Sequence, residues 1–512
     1  MLFNSYVFIF IFVPSVFAGF FLLARLSTRL AGLWLAFASL FFYGWWNPRY
    51  VPLLIASIAF NYVIGGVIGR ARAAKSQRPA TLALITGICG NIALLGYFKY
   101  ANFFLKIVNP LFGTDLGGLN IILPLGISFF TFTQIAFLVD TYRGMSSDYD
   151  PWHYLLFVTY FPHLIAGPIL HHKQMMPQFS RASTYRLNLD NVNFGMTMFT
   201  IGLFKKVVLA DQFALVVTPV FDSAAHGVNV PLIEAWLGTL AYSLQLYFDF
   251  SGYCDMAIGV SKIFNIDLPV NFDSPYKSKS IIEFWRRWHM TLSAFLRDYL
   301  YFPLGGNRKG PVRRYTNLMT TMVLGGLWHG ASWTFVLWGG LHGFYLIVNH
   351  AWQAFKHRWQ LDGIPWRWMP GHALTFLAIV VAWVPFRAAD FEATASMLRG
   401  LAGINGVALP SALKKYGEFL ATALPKLSVR FTSQSVIGDA YSAASWIAIG
   451  LVIVIWMPNS QQIMNFGSQR ERSSSLFWKP TLPFALMSAL GFLVAILMVG
   501  STKVSEFLYF QF

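Results

Sequence analysis

The chain has 512 residues, of which 56% are hydrophobic and 12% are charged, against about 25% charged residues in soluble domains. Lys and Arg outnumber Asp and Glu by 38 to 21, and the excess lies in short loops between apolar runs. This pattern excludes a soluble enzyme and differs from that of nucleic-acid binders, which concentrate basic residues on a solvated face. Cys89 and Cys254, the only cysteines, both lie in apolar runs, so a disulfide framework is also excluded.

The apolar runs predict an all-α polytopic integral membrane protein, with residues 1–512 forming a single membrane-embedded domain. About 20 apolar residues are enough for a helix to cross a bilayer. The first run has no basic segment before it and no cleavage site after it, so we expect it to be retained as a helix. The runs are 5–24, 30–46, 50–69, 80–98, 119–139, 152–170, 195–221, 231–260, 315–348, 371–386, 440–457 and 482–500.

Basic loops predict the orientation in the membrane. Arg25 and Arg29 follow the first run, and further basic residues occupy 70–78 after the third run. Cytoplasmic loops are rich in Lys and Arg, so we expect the amino terminus outside. The loops at 70–78, 276–314 and 458–481 are expected inside. The longest non-spanning segment, 387–439, is expected outside, where it could dock a partner.

Asp249 and Asp255 interrupt the run at 231–260. A carboxylate in a membrane span costs roughly 2.5–3.5 kcal/mol, so both need partners or water. Six residues apart, they lie about 240° from each other on a continuous helix, which argues against an acid/base pair unless the helix breaks at Gly252. We interpret them as structural counter-ions, with Lys205 and Lys206 as candidate partners.

The segment from Phe161 to Pro168 contains prolines at membrane depth and one histidine, His163. Such a segment is more often a bent helix than a site. The histidine keeps a functional role open as the alternative.

A helical periodicity runs from Phe284 to Leu300. Positions 284, 285, 288, 289, 292, 295, 296, 299 and 300 fall on one arc, whereas the charged residues Arg286, Arg287, Arg297 and Asp298 fall opposite. The pattern predicts one amphipathic helix at the headgroup region of the bilayer, with His289 on its buried side.

The run at 315–348 is long for one span and short for two, and basic residues flank it on both sides. If both flanks are cytoplasmic, the run must enter the membrane and return, with Trp328-His329-Gly330 at the turn. An ionisable side chain at that depth is a functional-site hypothesis. The expected breaks are at Gly325, Gly326, Gly330, Gly339 and Gly340.

Nucleotide-binding, nucleophile-elbow and metal motifs are missing from the sequence. Any chemistry must therefore use the intramembrane histidines. A lone histidine in an apolar run is about as often structural as catalytic. His289 and His329 each follow a tryptophan in a broken or interfacial element, and this repeated context favours function.

Four motifs resemble the membrane-bound O-acyltransferase family, and within it the membrane subunits of bacterial alginate O-acetylases. The D-alanyl transferase of teichoic acid is a nearer relative of that subgroup than the eukaryotic lipid and protein acyltransferases. Cys254 stands where the family signature has serine. The motifs are Tyr247-Phe-Asp-Phe-Ser-Gly-Tyr253, Phe284-Trp-Arg-Arg-Trp-His-Met-Thr-Leu-Ser293, Tyr301-Phe-Pro-Leu-Gly-Gly-Asn-Arg-Lys-Gly310 and Leu327-Trp-His-Gly330.

The resemblance implies a helical bundle with tilted, broken and re-entrant helices around a central tunnel, and a motif core at about 247–343. It implies that His329 is the catalytic histidine and that His289 is the second site residue. His329 would accept the proton of the acceptor hydroxyl, since the ordinary pKa of histidine is near 6.5, and His289 would orient or stabilise the thioester carbonyl. The candidates for substrate or donor contacts are Trp285, Trp288, Trp328, Asp249, Ser251, Tyr253, Asn307, Arg308 and Lys309, with Arg313 and Arg314 as further basic candidates.

The reaction implied by the resemblance moves an acetyl group from a cytoplasmic thioester, acetyl-CoA or an acyl carrier, across the bacterial inner membrane. An extracellular polysaccharide such as alginate, or a periplasmic acetyltransferase partner, would receive it. No metal, bound cofactor or nucleic acid is expected. The alternatives are transfer of D-alanyl or another acyl group to a cell-envelope polymer, a transporter of polysaccharide precursors, and a non-catalytic scaffold of a synthase complex.

Overall fold

Helices make up almost all of the regular structure, as the apolar runs predict. The computed structural model describes residues 1–145, 150–165, 167–360, 371–411, 414, 429–432, 436–467, 477–501 and 506–508. The α-helices among them are Val13–Ala24, Thr28–Gly44, Val51–Ala73, Gln77–Leu95, Ala101–Phe112, Ile127–Tyr142, Pro151–Thr159, Phe161–Leu164, His172–Phe179, Leu189–Phe204, Asp211–Ala225, Leu232–Ile263, Ile281–Arg287, Met290–Leu296, Gly310–His329, Trp333–Arg358, Gly371–Arg387, Phe391–Leu401, Ala440–Trp456, Ser460–Ile463 and Leu482–Ser501.

Shorter elements join several of these helices. Four π-helical turns, which are wider than α-helical turns, lie in the described residues at Val7–Phe12, Gly96–Tyr100, Lys205–Ala210 and Arg297–Tyr301. The 3₁₀ turns are Pro48–Tyr50, Ala182–Tyr185 and Pro275–Lys277.

The strands Val407–Pro410 and Val429–Thr432 pair in parallel, with Val407 opposite Val429 and Pro410 opposite Thr432. This small sheet lies in the segment at 387–439 that was expected outside the membrane. Part of that segment, like part of the loop at 458–481, lies outside the described residues.

The chain divides into two compact units. One unit comprises Met1–Phe204, Ser251–Asn271 and Ser460–Phe512, and the other comprises Lys205–Phe250 and Phe272–Asn459. The chain therefore leaves each unit and returns to it, which differs from a simple succession of domains along the sequence.

Several helices are long and apolar enough to cross a membrane. In the described residues they are Val7–Ala24, Pro48–Ala73, Gln77–Phe112 and Leu482–Gly500, and the shorter helices Gly371–Arg387 and Ala440–Trp456 are also apolar. Several such helices in one chain indicate a multi-pass membrane protein. The first of them corresponds to the run at 5–24 that was predicted to form a helix.

Leu232–Ile263 is a single helix of 32 residues. It passes through Gly252 without a break, so the condition that would have allowed Asp249 and Asp255 to face one another is not met. On a continuous helix the two carboxylates point in different directions, and each finds a separate partner.

The amphipathic helix predicted from Phe284 to Leu300 is wrong as a single element. Helix Ile281–Arg287 ends before Trp288, whose backbone is extended, and His289 adopts left-handed angles of φ 43° and ψ 54°. A new helix then starts at Met290. The helical periodicity persists across the break because two short helices each bury one face, and sequence periodicity does not detect a two-residue interruption between them.

Helices Gly310–His329 and Trp333–Arg358 form a hairpin, whose turn falls immediately after His329 as expected. The prediction that the glycines at 325, 326, 339 and 340 break these helices is wrong, because all four lie within helix. Gly326 and Gly339 instead allow close packing. A Cβ on Gly326 would lie 2.2 Å from the carbonyl oxygen of Phe335, and one on Gly339 would lie 2.3 Å from that of Met322.

Candidate active site

The fold brings His289 and His329 together. Their ring centroids are 6.5 Å apart, with 60° between the ring planes, although 40 positions separate them along the chain. Both side chains are buried, with exposures of 1% and 6%. The predicted catalytic pair therefore forms one cluster within a single compact unit.

His289 is held in place by the break between two helices. Its carbonyl oxygen accepts the backbone N–H of Ser293, at 2.9 Å, in the first turn of the following helix. Its ring packs edge-on against Phe250, at a centroid distance of 4.9 Å. Left-handed angles cost an L-residue about 1–2 kcal/mol, and strain of this kind concentrates at functional sites.

His329 is the last residue of its helix, at the hairpin turn. Trp328, Trp338 and Phe386 surround its ring, at centroid distances of 5.0, 5.1 and 5.2 Å. Aromatic rings on several sides limit the access of bulk water to this histidine. Exclusion of water protects a reactive acyl group from hydrolysis.

The three tryptophans predicted to contact substrate lie among the aromatic side chains around the two histidines. Trp328 lies 6.3 Å from the ring of His289, and Trp288 stacks on Phe284 at 5.6 Å. The indole N–H of Trp285 donates a hydrogen bond to Nδ1 of His342. All three are buried.

Asp249 belongs to a buried ion network. The ammonium of Lys206 lies 2.7 Å from Asp249 and 2.9 Å from Asp211, as the counter-ion interpretation expects. Lys206 lies on the π-helical turn Lys205–Ala210. Asp255 instead accepts a hydrogen bond from the amide of Gln461, at 3.0 Å. A buried charge needs such partners because desolvation is costly.

The remaining sequence-predicted residues fall in two other stretches of the described chain. Ser251 and Tyr253 lie in the other compact unit, where the Tyr253 ring stacks on Phe3 at 4.8 Å. Asn307, Arg308 and Lys309 are exposed, in the turn before helix Gly310–His329. Arg313 is exposed as well.

His163, in the broken segment from 161 to 168, has a structural explanation. One of its ring nitrogens lies 2.9 Å from the carbonyl oxygen of Phe157. The short helix Phe161–Leu164 and the residues around it agree with the interpretation as a bent helix.

Sequence reasoning missed His342, Trp338, Trp383 and Phe386. His342 is completely buried, and the indole N–H of Trp285 donates to its Nδ1 at 3.3 Å. A signal for it was present, since His342 is an ionisable residue in the same apolar run as His329. Trp338 and His342 are also four residues apart, which places them on one face of a helix.

Comparisons with known proteins find similarity over half of the chain to one family and over the whole chain to individual relatives. Residues 127–382 match the description "MBOAT, membrane-bound O-acyltransferase family". The chain is 41% identical to the peptidoglycan O-acetyltransferase of Helicobacter pylori, over 100% of this chain and 98% of that protein. It is 37% identical to the probable alginate O-acetylase AlgI of Pseudomonas putida, over 100% of both chains.

A more distant similarity covers about half of the chain. The teichoic acid D-alanyltransferase of Bacillus subtilis is 29% identical over 51% of this chain and 66% of that protein. Proteins named for three different acceptors thus share sequence with this chain.

Proposed function

Since this chain belongs to the membrane-bound O-acyltransferase family, we propose that it transfers an acetyl group from a thioester to hydroxyls of a cell-envelope or exported glycan. The observation that carries the proposal is the pair of buried histidine rings, which lie 6.5 Å apart and pack against Trp328 and Trp338. Members of the family are acyltransferases, and two of the relatives above are named as O-acetylating enzymes.

His329 is proposed as the general base. It removes the proton from the acceptor hydroxyl, the oxygen attacks the thioester carbonyl, and a C–O bond forms as the C–S bond breaks. The proton on the histidine then passes to the departing thiolate. Histidine suits both proton transfers because its ordinary pKa is near neutral.

His289 is proposed to orient the thioester or to stabilise the charge that develops on its carbonyl oxygen. A preorganised donor beside that oxygen is worth several kcal/mol in a site from which water is excluded. The left-handed backbone at this residue, fixed between two helices, supports such a preorganised role. The aromatic side chains around both histidines would hold the reactants away from bulk water.

The proposed donor is acetyl-CoA or an acyl carrier thioester at the cytoplasmic face, and the protein resides in the bacterial inner membrane with its amino terminus outside. The acetyl group would pass through a central tunnel to the far side. The exposed basic turn with Arg308 and Lys309 supports a donor site, because cations attract the phosphates of such carriers. Topology alone would also account for this basic turn.

The acceptor is proposed to be a polysaccharide, reached directly or through a periplasmic acetyltransferase. The relatives' names offer alginate and peptidoglycan as acceptors, and the D-alanyltransferase offers a different acyl group. Mass spectrometry of peptidoglycan fragments and of secreted polysaccharide from a deletion strain would separate these possibilities. We expect O-acetyl groups to disappear from one polymer and to return with the wild-type gene.

Transfer itself is tested with the purified full-length chain in liposomes. The substrates are acetyl-CoA labelled in the acetyl group and glycan oligosaccharides from the polymer identified in the deletion strain. Labelled ester formation, or acetyl-CoA turnover above that of empty liposomes, is expected. Transport of glycan with no turnover of the thioester would favour the transporter, and neither activity together with intact complex assembly would favour the scaffold.

A further inference from the structure

His342 packs against Trp285, which is close to His289 in the sequence, and against Trp338, which packs on His329. It belongs to helix Trp333–Arg358 and is completely buried. Its ring centroid is 4.8 Å from that of Trp338 and 5.1 Å from that of Trp285. It also lies parallel to the Phe284 ring, at 6.2 Å and 11°. Aromatic side chains thus enclose the ring of His342.

The hydrogen bond of His342 identifies its tautomer. An indole N–H can only donate, so Nδ1, which lies 3.3 Å from Nε1 of Trp285, must be the acceptor. An imidazolium has no free acceptor, so the ring is neutral and its proton is on Nε2. Nε2 is buried and has no hydrogen-bonding partner among the residues that the structure describes.

A purely space-filling role does not explain a histidine at this position. Burying a polar group without a partner costs about 1–3 kcal/mol, and a phenylalanine or methionine would fill the enclosure without that cost. The feature specific to histidine is the Nδ1 acceptor. Its partner, Trp285, therefore indicates what the residue does.

The bond to Trp285 connects His342 to His289. Trp285 lies on helix Ile281–Arg287, which ends two residues before His289. Only the extended Trp288 separates that helix from the left-handed His289. Because so short a connection has little freedom, the position of the Trp285 indole sets the position of the His289 ring.

A second contact connects His342 to His329. The Trp338 indole packs on both rings, at centroid distances of 4.8 Å to His342 and 5.1 Å to His329. His342 therefore contacts two tryptophans: Trp285, on the helix that precedes His289, and Trp338, which packs against His329. In close-packed interiors a change at such a residue moves its neighbours.

We infer that His342 is a positioning residue for acyl transfer: its Nδ1 holds the indole of Trp285 and so fixes His289 opposite His329. The inference rests on the proposed function, because the consequence of the positioning is the rate of transfer. His342 does not contact the reacting atoms in this proposal.

The test uses two amides that differ in where they place the polar group. The side-chain oxygen of His342→Asn can take the place of Nδ1, whereas the longer His342→Gln places its amide near Nε2. His342→Phe keeps the ring and removes both nitrogens. Transfer of labelled acetyl is measured with each full-length variant in liposomes, together with its melting temperature in detergent.

Positioning through Nδ1 predicts that His342→Asn retains most of the activity, while His342→Gln and His342→Phe lose about 10- to 100-fold in kcat, the loss that a displacement of about 1 Å produces. KM for the donor should change little. Retained activity in the glutamine variant with loss in the asparagine variant would assign the function to Nε2 and overturn the inference. Equal activity of all three variants would also overturn it.

A thermodynamic cycle separates failure of this inference from failure of the proposed function. Trp285→Phe removes the donor, so Trp285→Phe and His342→Phe should be non-additive in unfolding free energy, since they remove the same bond. Additive effects would show that the bond is not formed. If wild-type protein transfers no acetyl while the cycle is non-additive, the proposed function fails and so does the positioning of an acyl-transfer site.

Discussion

At the scale of the residue, the site depends on backbone conformation as much as on side-chain chemistry. His289 has a φ of 43°, a conformation in which histidine, asparagine and aspartate are found more often than other non-glycine residues. His329 instead lies at a regular helix end. Substitution at the two positions should therefore have different structural consequences, and this allows chemistry to be separated from folding.

At His329, both His329→Ala and His329→Gln should abolish transfer. Loss of a general base forfeits about 10²–10⁴-fold, and glutamine cannot accept and return a proton near neutral pH. Glutamine keeps much of the volume and hydrogen-bonding capacity, so it is the informative change. Labelled acetyl transfer in liposomes measures the effect. Substantial activity in a well-expressed glutamine variant would remove His329 from the catalytic role.

At His289, His289→Ala should lower the activity by less than the changes at His329, and the protein should remain folded and inserted. Alanine is found in this left-handed conformation less often than histidine, so a modest loss of stability is expected beside the loss of activity. His289→Asn is the matched control, because asparagine favours these angles and keeps a polar group. Equal and total loss in both variants, with poor expression, would indicate that this histidine is structural.

At the scale of the element, the hairpin of Gly310–His329 and Trp333–Arg358 positions two functional candidates. His329 ends the first helix, and His342 lies on the second. The close approach at Gly326 and Gly339 fixes the position of the first helix relative to the second. The hairpin is therefore the element whose packing the histidine geometry depends on most directly.

Two adjacent glycines test this packing. A Cβ at Gly339 would lie 2.3 Å from a backbone oxygen, whereas a Cβ at Gly340 would meet no atom within 4 Å. Gly339→Ala should lower stability by about 1–3 kcal/mol through overpacking, and activity should fall with it. Gly340→Ala should leave both unchanged or raise stability slightly, since alanine favours helix. Melting temperatures in detergent provide the measurement, and equal effects at the two positions would contradict the packing argument.

At the scale of the whole molecule, the chain is a multi-pass membrane protein whose histidine cluster lies entirely within one of two compact units. That unit is built from two separated stretches of chain, interrupted by Ser251–Asn271. The prediction of a single domain at 1–512 stays a prediction. Orientation in the membrane also stays a prediction, and it can be tested with cysteine substitutions.

We expect Ser76→Cys, in the basic loop at 70–78, to react with an impermeant thiol reagent only after cells are permeabilised. Cys89→Ala removes the exposed native thiol from the background. Ser76 is chosen over Lys75, whose φ of 51° would add strain. Ile404→Cys, exposed in the segment expected outside, should be labelled in intact cells. Labelling of Ser76→Cys in intact cells would reverse the predicted topology.

The sequence by itself determined the fold class and the family, and it singled out His289 and His329, which the fold brings together. Apolar runs identify membrane helices because a bilayer forces backbone groups to be satisfied within each segment. An ionisable residue in such a run is informative because its burial is costly. The motifs around His289 and His329 carried both the chemistry and the resemblance.

Only the tertiary structure decided the break at His289, the role of the hairpin glycines and the place of His342. Helical periodicity reports which face is buried, and it continues across a break of one or two residues. A glycine has the same sequence signature whether it ends a helix or admits a neighbouring backbone, as Gly339 does. His342 gains its role from Trp285, 57 positions away in the chain. Contacts between distant residues depend on packing, which local patterns do not specify.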